Sequence, residues 1–468
     1  MNTDLMGTAE LSHSLGARFF SFSPNSGNSG FSSVAIDSRK VREGGLFFAL
    51  EGESCDGHSF VNAAFNSGAQ AAVVESSKLE TFDLVNIAQK AGKELIVVED
   101  TMKGLRDSAK AYLNKFPALL KVGITGSNGK TTTKEITAAI AACEKNVVKN
   151  EGNLNSETGL PLSIFEVRDH HEVGIFELGM NKKNEILNSA EVLKPNVVLI
   201  TNIGNAHIEF FGSKDEIVKQ KKCIFNFLAD NDIALIPEDD EYANALAHGV
   251  TGKVRYYSAG SFDEFEGTRD LGLEGTDIYW SGEKIHFALP GNHSFHDAIA
   301  AIAIAKELSV GSNAIKKGLE SVKPLFGRLE ILKGRTTVIR DCYNANPESM
   351  AKSIEFCDSL EWDGRKVYVI GDMLELGDSS SGEHRKLGGL LTRSQAEMIF
   401  LFGSEVTIAG SYMTQNGRAF FHTDEMEKLS SALNSYVQTG DLVLLKGSRR
   451  CALERLTETL TGEALNVS

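Results

Sequence analysis

Gly123-Ile124-Thr125-Gly126-Ser127-Asn128-Gly129-Lys130-Thr131-Thr132-Thr133 follows the apolar stretch Leu119 to Ile124 and precedes a helix-patterned run from Glu135 to Cys143. An apolar strand, a glycine-rich turn and a helix, in that order, read as a phosphate-binding loop. Glycines let successive backbone N–H groups turn inward on phosphate oxygens, and the helix N-terminus adds the positive end of its dipole. Lys130 is placed to reach β- and γ-phosphates and Thr131 to hold Mg²⁺, so the stretch predicts a chain that spends ATP. Gly126, Ser127, Asn128, Gly129 and Thr132 complete the expected cradle. The loop is a variant, because the usual opening glycine, five residues before Gly129, is Ile124. An ordinary glycine-rich turn is the alternative, and the Gly-Lys-Thr ending with matching flanks weighs against it.

Outward from the loop, short apolar runs alternate with helical patterns nearly throughout, which predicts an α/β class with parallel sheets covered by helices. At 468 residues the chain has room for about three domains. Residues 1–100 carry strand candidates at Val34–Ile36, Leu46–Leu50, Ala71–Val74 and Leu95–Val98, a small sheet domain ahead of the loop. Residues 101–325 carry Val122–Thr125, Val173–Glu177, Val197–Thr201 and Ile233–Ile236 around the loop. Residues 326–468 repeat the pattern at Thr337–Ile339, Val367–Ile370, Met398–Leu401 and Leu442–Leu445.

Composition narrows the partners. Lys plus Arg total 48 against 63 Asp plus Glu, a net charge of −15, which argues against a nucleic-acid backbone as partner. Met1 to Phe20 lacks a basic start followed by an apolar run, so no signal peptide is expected. The most apolar run, Ala298 to Ala305, is far short of the ~20 residues a membrane helix needs. A cytoplasmic protein without membrane insertion is the expectation. The six cysteines (55, 143, 223, 342, 357, 451) have no C-x-x-C spacing and read as reduced structural thiols.

Three further residues bear on chemistry. Glu177 ends the apolar run from Val173, and ligand-facing groups of open α/β sheets gather at strand carboxyl ends, so it is a candidate Mg²⁺ ligand. His207 follows the next strand and would emerge at the same edge; a plain surface histidine is the other reading. Lys221 lies on a helix opened by Ser213-Lys214-Asp215-Glu216, a capping box, and shares the stripe of Ile217, Ile224, Phe225 and Leu228. A lysine there either snorkels past the core or is altered, and reaction with CO₂ would turn it into an anionic carbamate able to coordinate a cation.

Together these segments resemble the Mur ligases, which extend the peptide of the bacterial cell-wall precursor. The resemblance is carried by the loop with Glu177, His207 and Lys221, by Ile36 to Lys40, Gly152 to Asn155, Glu177 to Asn181 and Thr201 to His207. In the last third it is carried by Gly327 to Glu330, Asp341 to Pro347, Gly371 to Gly377 and Lys446 to Arg449. Within the family, Asp341 to Pro347 and Gly371 to Gly377 favour the branch that adds a dipeptide. A sister branch adding a diamino acid carries an Asp-Asn-Pro-Arg motif that is absent here, and folate-polyglutamating relatives end the loop Gly-Lys-Gly-Ser.

The resemblance implies three domains: a small N-terminal substrate domain for the UDP end of the precursor, a central ATPase-like parallel sheet, and a C-terminal Rossmann-like domain closing over both. It implies ATP and Mg²⁺ as cofactors, UDP-N-acetylmuramoyl-tripeptide and D-alanyl-D-alanine as partners, and a monomer. By the same carry-over Lys130, Glu177, His207 and Lys221 are catalytic, with Thr131, Glu177, His207 and carbamylated Lys221 at the metal. Arg328 and Asp341 would meet the nucleotide, and Ser38, Arg39, Asp56 and His58 the UDP end. Asn344 and Asn346 would lie close to Arg328 and Asp341, Asn155 would lie near the reacting groups, and Asp372, Glu375, Lys446 and Arg449 would shape the acceptor pocket. The chain departs from the family at Ser294 and Asp297, where asparagines are usual, at Cys223 for a glutamate, and at Ser156 for an asparagine.

Overall fold

The strand that ends in the phosphate loop, Leu120–Thr125, lies inside a six-stranded parallel sheet. This computed structural model describes residues 4–23, 29–52, 54–205 and 208–462. The sheet order is Lys253–Tyr257, Ile233–Pro237, Val197–Ile200, Leu120–Thr125, Val173–Glu177, Val147–Lys149. All neighbours run parallel. From Leu120–Thr125 the chain fills one side of the sheet, then crosses to the other, and such a reversal opens a crevice at the strands' carboxyl ends. The loop, Glu177 and the segment after Ile200 all leave the sheet at that edge. Val197–Ile200 is buried at every residue, as a central parallel strand covered on both faces must be.

The first sheet runs Arg18–Ser21, Glu94–Val98, Ala71–Glu75, Leu46–Phe48, Val34–Ala35, parallel except for its Arg18 edge. The third runs Glu330–Lys333, Thr337–Asp341, Leu442–Lys446, Lys366–Gly371, Met398–Phe402, Phe421–Thr423, parallel except for its Glu330 edge. Every strand expected from the sequence is present at its place. The helix Thr101–Leu113 serves the first two sheets at once: Gly104 lies against Val98 and Val73, while Tyr112 donates its hydroxyl to Val167 O at 2.7 Å.

Two expectations need correction. The helix patterned from Glu135 begins five residues earlier, at Lys130, and ends at Ala141. Its first turn is polar because it faces the loop's ligand side rather than the core. The central unit also holds an antiparallel sheet, Phe265–Asp270, Thr276–Trp280 and Glu283–Phe287, where only parallel sheet was expected. Its second hairpin turns on Ser281 (φ 51) and Gly282 (φ 74), the pair of positive φ values that a two-residue turn requires. Ile278, Trp280, Ile285 and Phe287 alternate into the core beneath.

Candidate active site

The loop leaves its strand at Gly126 (φ 153) and enters the helix at Gly129 (φ 80). A Cβ on Gly126 would stand 1.8 Å from Thr201 Oγ1, and one on Gly129 2.1 Å from Asp297 Oδ1. Both positions therefore exclude side chains. Behind the loop, Ser127 N donates to Asn202 O at 2.9 Å and Asn128 N to Asn202 Oδ1 at 3.1 Å. The Thr201 hydroxyl donates to Asn128 O at 2.6 Å. Asn202, given no role from sequence, thus fixes the loop's shape; its only signal was an amide just past the neighbouring strand.

Two lysines converge on one backbone oxygen. Lys130 Nζ donates to Gly126 O at 2.9 Å, and Lys221 Nζ donates to the same atom at 2.8 Å. Lys221 is 1% exposed, so it does not snorkel to solvent. Its helix, Lys214–Lys222, buries Ile217, and the turn beyond buries Ile224, Phe225 and Leu228, as the stripe foretold. Only half of the capping box forms: Ser213 Oγ accepts from Glu216 N, but Glu216 Oε1 accepts from Gln220 Nε2 instead. Burial first, then the Lys130 charge, push Lys221 well below the ordinary lysine range, with Glu177 opposing. Burial lowers Lys130 too, against Glu177 and with Arg328.

Glu177 is 1% exposed. Its Oε2 accepts from Thr131 Oγ1 at 2.7 Å and its Oε1 from Asn155 Nδ2 at 2.6 Å. Thr131 Oγ1 in turn accepts from Arg328 Nη2 at 3.0 Å, an arm from the third domain. Adjacent hydroxyl and carboxylate oxygens at a phosphate loop fit Mg²⁺, which takes few protein ligands and completes its shell with phosphate and water. Among the described residues no cluster of three or more His, Cys, Asp or Glu could hold a metal alone. His207 lies outside the described residues.

The third sheet closes the other wall. Asp341 Oδ2 pairs with Lys446 Nζ at 2.9 Å and accepts from Ser353 Oγ; Leu329 N donates to Oδ1. Burial works to raise the Asp341 carboxyl, but Lys446 and the Ser353 hydroxyl outweigh it and hold it below the usual carboxylate range. Lys446 also donates to Asn344 O, and Asn346 Nδ2 to Asn128 Oδ1 at 2.7 Å. Arg328 stacks on Tyr343, 4.3 Å from the ring centre. Between these walls lies a cavity of about 800 Å³ lined by Ser127 to Thr132, Asn155, Glu177, Arg328, Asp341, Asn344, Asn346, Glu375 and Lys446. His293, Ser294 and Asp297 line it too, from the helix Asn292–Glu307. Burial pushes the Asp297 carboxyl up to about 8, against Lys352, Arg328 and Thr133.

Other expected residues fall outside this cavity. Asp372 is buried, and its carboxylate accepts from Ser404 N and Val406 N, so it ties a loop of the third domain rather than shaping an acceptor pocket. Arg449 is exposed and pairs with Glu454. His58 is 1% exposed; its Nε2 accepts from Glu75 N, so Nδ1 carries the proton and donates to Asp56 Oδ1 at 2.6 Å. It supports Asp56, which also pairs with Lys78, rather than meeting a substrate itself. Ser38 and Arg39 occupy a short 3₁₀ turn capped by Asp37, with Arg39 exposed and paired to Asp37.

Comparison with known proteins places this geometry. The Mur ligase middle domain matches residues 124–305, the Mur ligase glutamate ligase domain 327–449, and the Mur ligase family catalytic domain 31–113. The UDP-N-acetylmuramoyl-tripeptide--D-alanyl-D-alanine ligase of Treponema pallidum is 39% identical, covering 93% of this chain and 95% of its own. That of Bacillus subtilis is 32% identical over 92% and 94%. Among solved structures, MurF from Acinetobacter baumannii matches with a TM-score of 0.86 at 28% identity, over 98% and 99% of the two chains. MurF ligase from Thermotoga maritima in complex with ADP matches at 0.77 and 28%, over 92% and 97%. The three matched domains together span most of the sequence, so the chain belongs to the Mur ligase family, where it groups with the MurF enzymes.

Proposed function

We propose that this chain joins D-alanyl-D-alanine to UDP-N-acetylmuramoyl-tripeptide at the expense of ATP, building the pentapeptide precursor of peptidoglycan. The observation that carries this reading is the relay Arg328, Thr131, Glu177, Asn155 across the mouth of the phosphate loop. It puts a phosphate cradle, a cation-ready oxygen pair and a third-domain arm at one point. A carboxylate is a poor electrophile with a poor leaving group. Transfer of the γ-phosphoryl group to the tripeptide's terminal carboxylate makes an acyl phosphate, which the dipeptide amine attacks with loss of inorganic phosphate.

In this reading Lys130 leaves Gly126 O for the β- and γ-phosphates and neutralises charge as it develops. Mg²⁺, bound by Thr131 and Glu177 and supported by His207 and a Lys221 carbamate, would supply charge compensation at the transferring group. The carbamate has a local rationale. Two ammonium groups on one carbonyl repel, whereas a carbamate beside Lys130 is an ion pair, and burial shifts Lys221 toward the free-amine form that adds to CO₂ with loss of one proton. In this reading Asp341 and Lys446 would line the nucleotide side of the cavity with Asn344 and Asn346 close by, and Glu375 would serve the acceptor.

We assign residues 1–100 to the UDP end through Ser38, Arg39 and Asp56, 101–325 to ATP, and 326–468 to closure. Every group invoked comes from one chain, so a monomer suffices. No described helix is long and apolar enough to cross a membrane, and ATP with a UDP-linked substrate puts the reaction in the cytoplasm. Phosphate release with ATP, Mg²⁺ and the tripeptide should depend on D-alanyl-D-alanine and not be supported by lysine or diaminopimelate. Equal turnover with ATP alone would sink the reading.

A further inference from the structure

The segment that braces the phosphate loop is itself gripped from the third domain. Gly204 N donates to Ser127 Oγ at 2.7 Å, and Asn205 N donates to Glu348 Oε1 at 2.9 Å. Glu348 sits in the first turn of the helix Pro347–Ser359, which packs on the third sheet. Gly204 is the thin layer between the two: a Cβ there would lie 3.3 Å from both Ser127 Cβ and Glu348 Cδ. A side chain there would crowd both the carboxylate and the loop's brace and push one of them away by a few tenths of an ångström.

Glu348 is not spent on its own domain. The helix N-terminus is already capped by Asn346, whose side chain accepts from Ser349 N. The second carboxylate oxygen, Oε2, is buried and has no hydrogen-bond partner among the described residues. The half-buried carboxylate accepts its hydrogen bond from a backbone N–H of the central domain and lies within electrostatic reach of Lys214 of that domain, so both interactions face away from its own helix. Two residues earlier, at the cap of the same helix, Asn346 reaches Asn128 of the loop, so two side chains of one helix start press on the loop and on its brace.

We propose that Glu348 is a positioning residue: docking of the third domain seats its carboxylate on Asn205 N–H and, through Gly204, sets Ser127, so that the phosphate loop reaches its working shape only in the docked arrangement. The inference rests on the ligase reading for its activity readout, and on geometry alone for the rest. Its effect falls on turnover, because the brace is completed after the substrates have bound and the domain has come down.

Full-length Glu348→Ala and Glu348→Gln test it by phosphate release at saturating substrates, by thermal unfolding, and by small-angle X-ray scattering with a non-hydrolysable ATP analogue. The alanine variant should lose kcat about tenfold with KM values little changed, the size expected when one hydrogen bond to a charged group is missing from the reactive arrangement. Its melting temperature should match the wild type, and its radius of gyration with the analogue should be larger. The glutamine variant keeps an oxygen that accepts the Asn205 N–H and should retain most of kcat. Wild-type kcat and radius in Glu348→Ala overturn the proposal, and so does an equal loss in both variants that tracks a fall in melting temperature. A wild-type enzyme that ignores the dipeptide refutes the ligase reading instead, and the scattering comparison still decides Glu348.

Discussion

At the scale of single residues, the site is built around one carbonyl that two lysines share. Lys130→Ala should lower phosphate release by at least about a hundredfold, because a positioned charge on the transferring group is gone while the backbone cradle stays. Its melting temperature should stay near the wild type, since the lysine is only part-buried; unchanged turnover would remove the central assignment. On the proposed carbamate, Lys221→Ala should also lose most activity with little loss of stability, because it would delete an anion at the metal and a burial cost together. A short carboxylic acid added to that variant should restore part of the rate, and wild-type protein in labelled bicarbonate should give a carbamate ¹³C signal. A fully active Lys221→Ala enzyme would leave the lysine a structural tie to Gly126. Lys130 and Lys221 were legible because each breaks a local pattern, a cation in a glycine loop and a cation on an apolar stripe. The buried settings of Asp372 and His58 were not legible, because their partners, Val406 and Glu75, are remote in sequence and nothing local announces those hydrogen bonds.

At the scale of elements, the helix Asn292–Glu307 brings Asp297 directly beneath Gly129 of the phosphate loop. Facing it are Thr133 on the loop's helix, Tyr257 on the neighbouring strand, and Lys352 and Arg328 from the third domain. Burial holds the carboxyl at about 8 against an ordinary value of 3.8. Between those values the folded protein keeps a proton that the unfolded chain releases, so this residue's contribution to stability is intact below the lower value and is lost as pH rises to the upper. The full span corresponds to an upper bound on the order of 5 kcal/mol. Asp297→Asn should therefore gain stability over the wild type progressively from pH 4 to pH 8 and keep a constant margin above pH 9, read by urea unfolding. A margin that does not change with pH would mean that the carboxyl ionises normally. Because the pocket is shared with the nucleotide, the same variant together with Ser294→Asn should change the ATP-to-GTP ratio of kcat/KM. The replacement of asparagine at 297 was visible in the sequence; its place under Gly129 was not, since it depends on how one helix crosses another. The parallel strands were equally visible as apolar runs, whereas the Ser281-Gly282 hairpin was hidden because its flanking strands alternate and carry charges.

At the scale of the whole molecule, the nucleotide cavity exists only because two domains share it, and Arg328 is the side chain that spans them. It lies at the entry to the third domain, stacks on Tyr343 of that domain, and donates to Thr131 Oγ1, 197 residues away in sequence. The planar guanidinium does both at once: its face rests on the ring while an edge N–H points at the loop, an arrangement that a lysine cannot reproduce. Its charge would also meet the phosphates as they lose their balance during transfer. Arg328→Ala should then reduce kcat about a hundredfold, the scale of one preorganised charge in a water-poor site. Arg328→Lys should recover little of it, because the charge returns without the stacking that aims it. Binding of ATP to the central domain rests mainly on the backbone N–H groups of the loop and should weaken far less, so titration calorimetry with a non-hydrolysable analogue should give a dissociation constant close to the wild type. A lysine variant with wild-type turnover would show that charge alone is used. Loss of binding equal to the loss of kcat would show that the arm holds the nucleotide in the ground state rather than completing the site on closure.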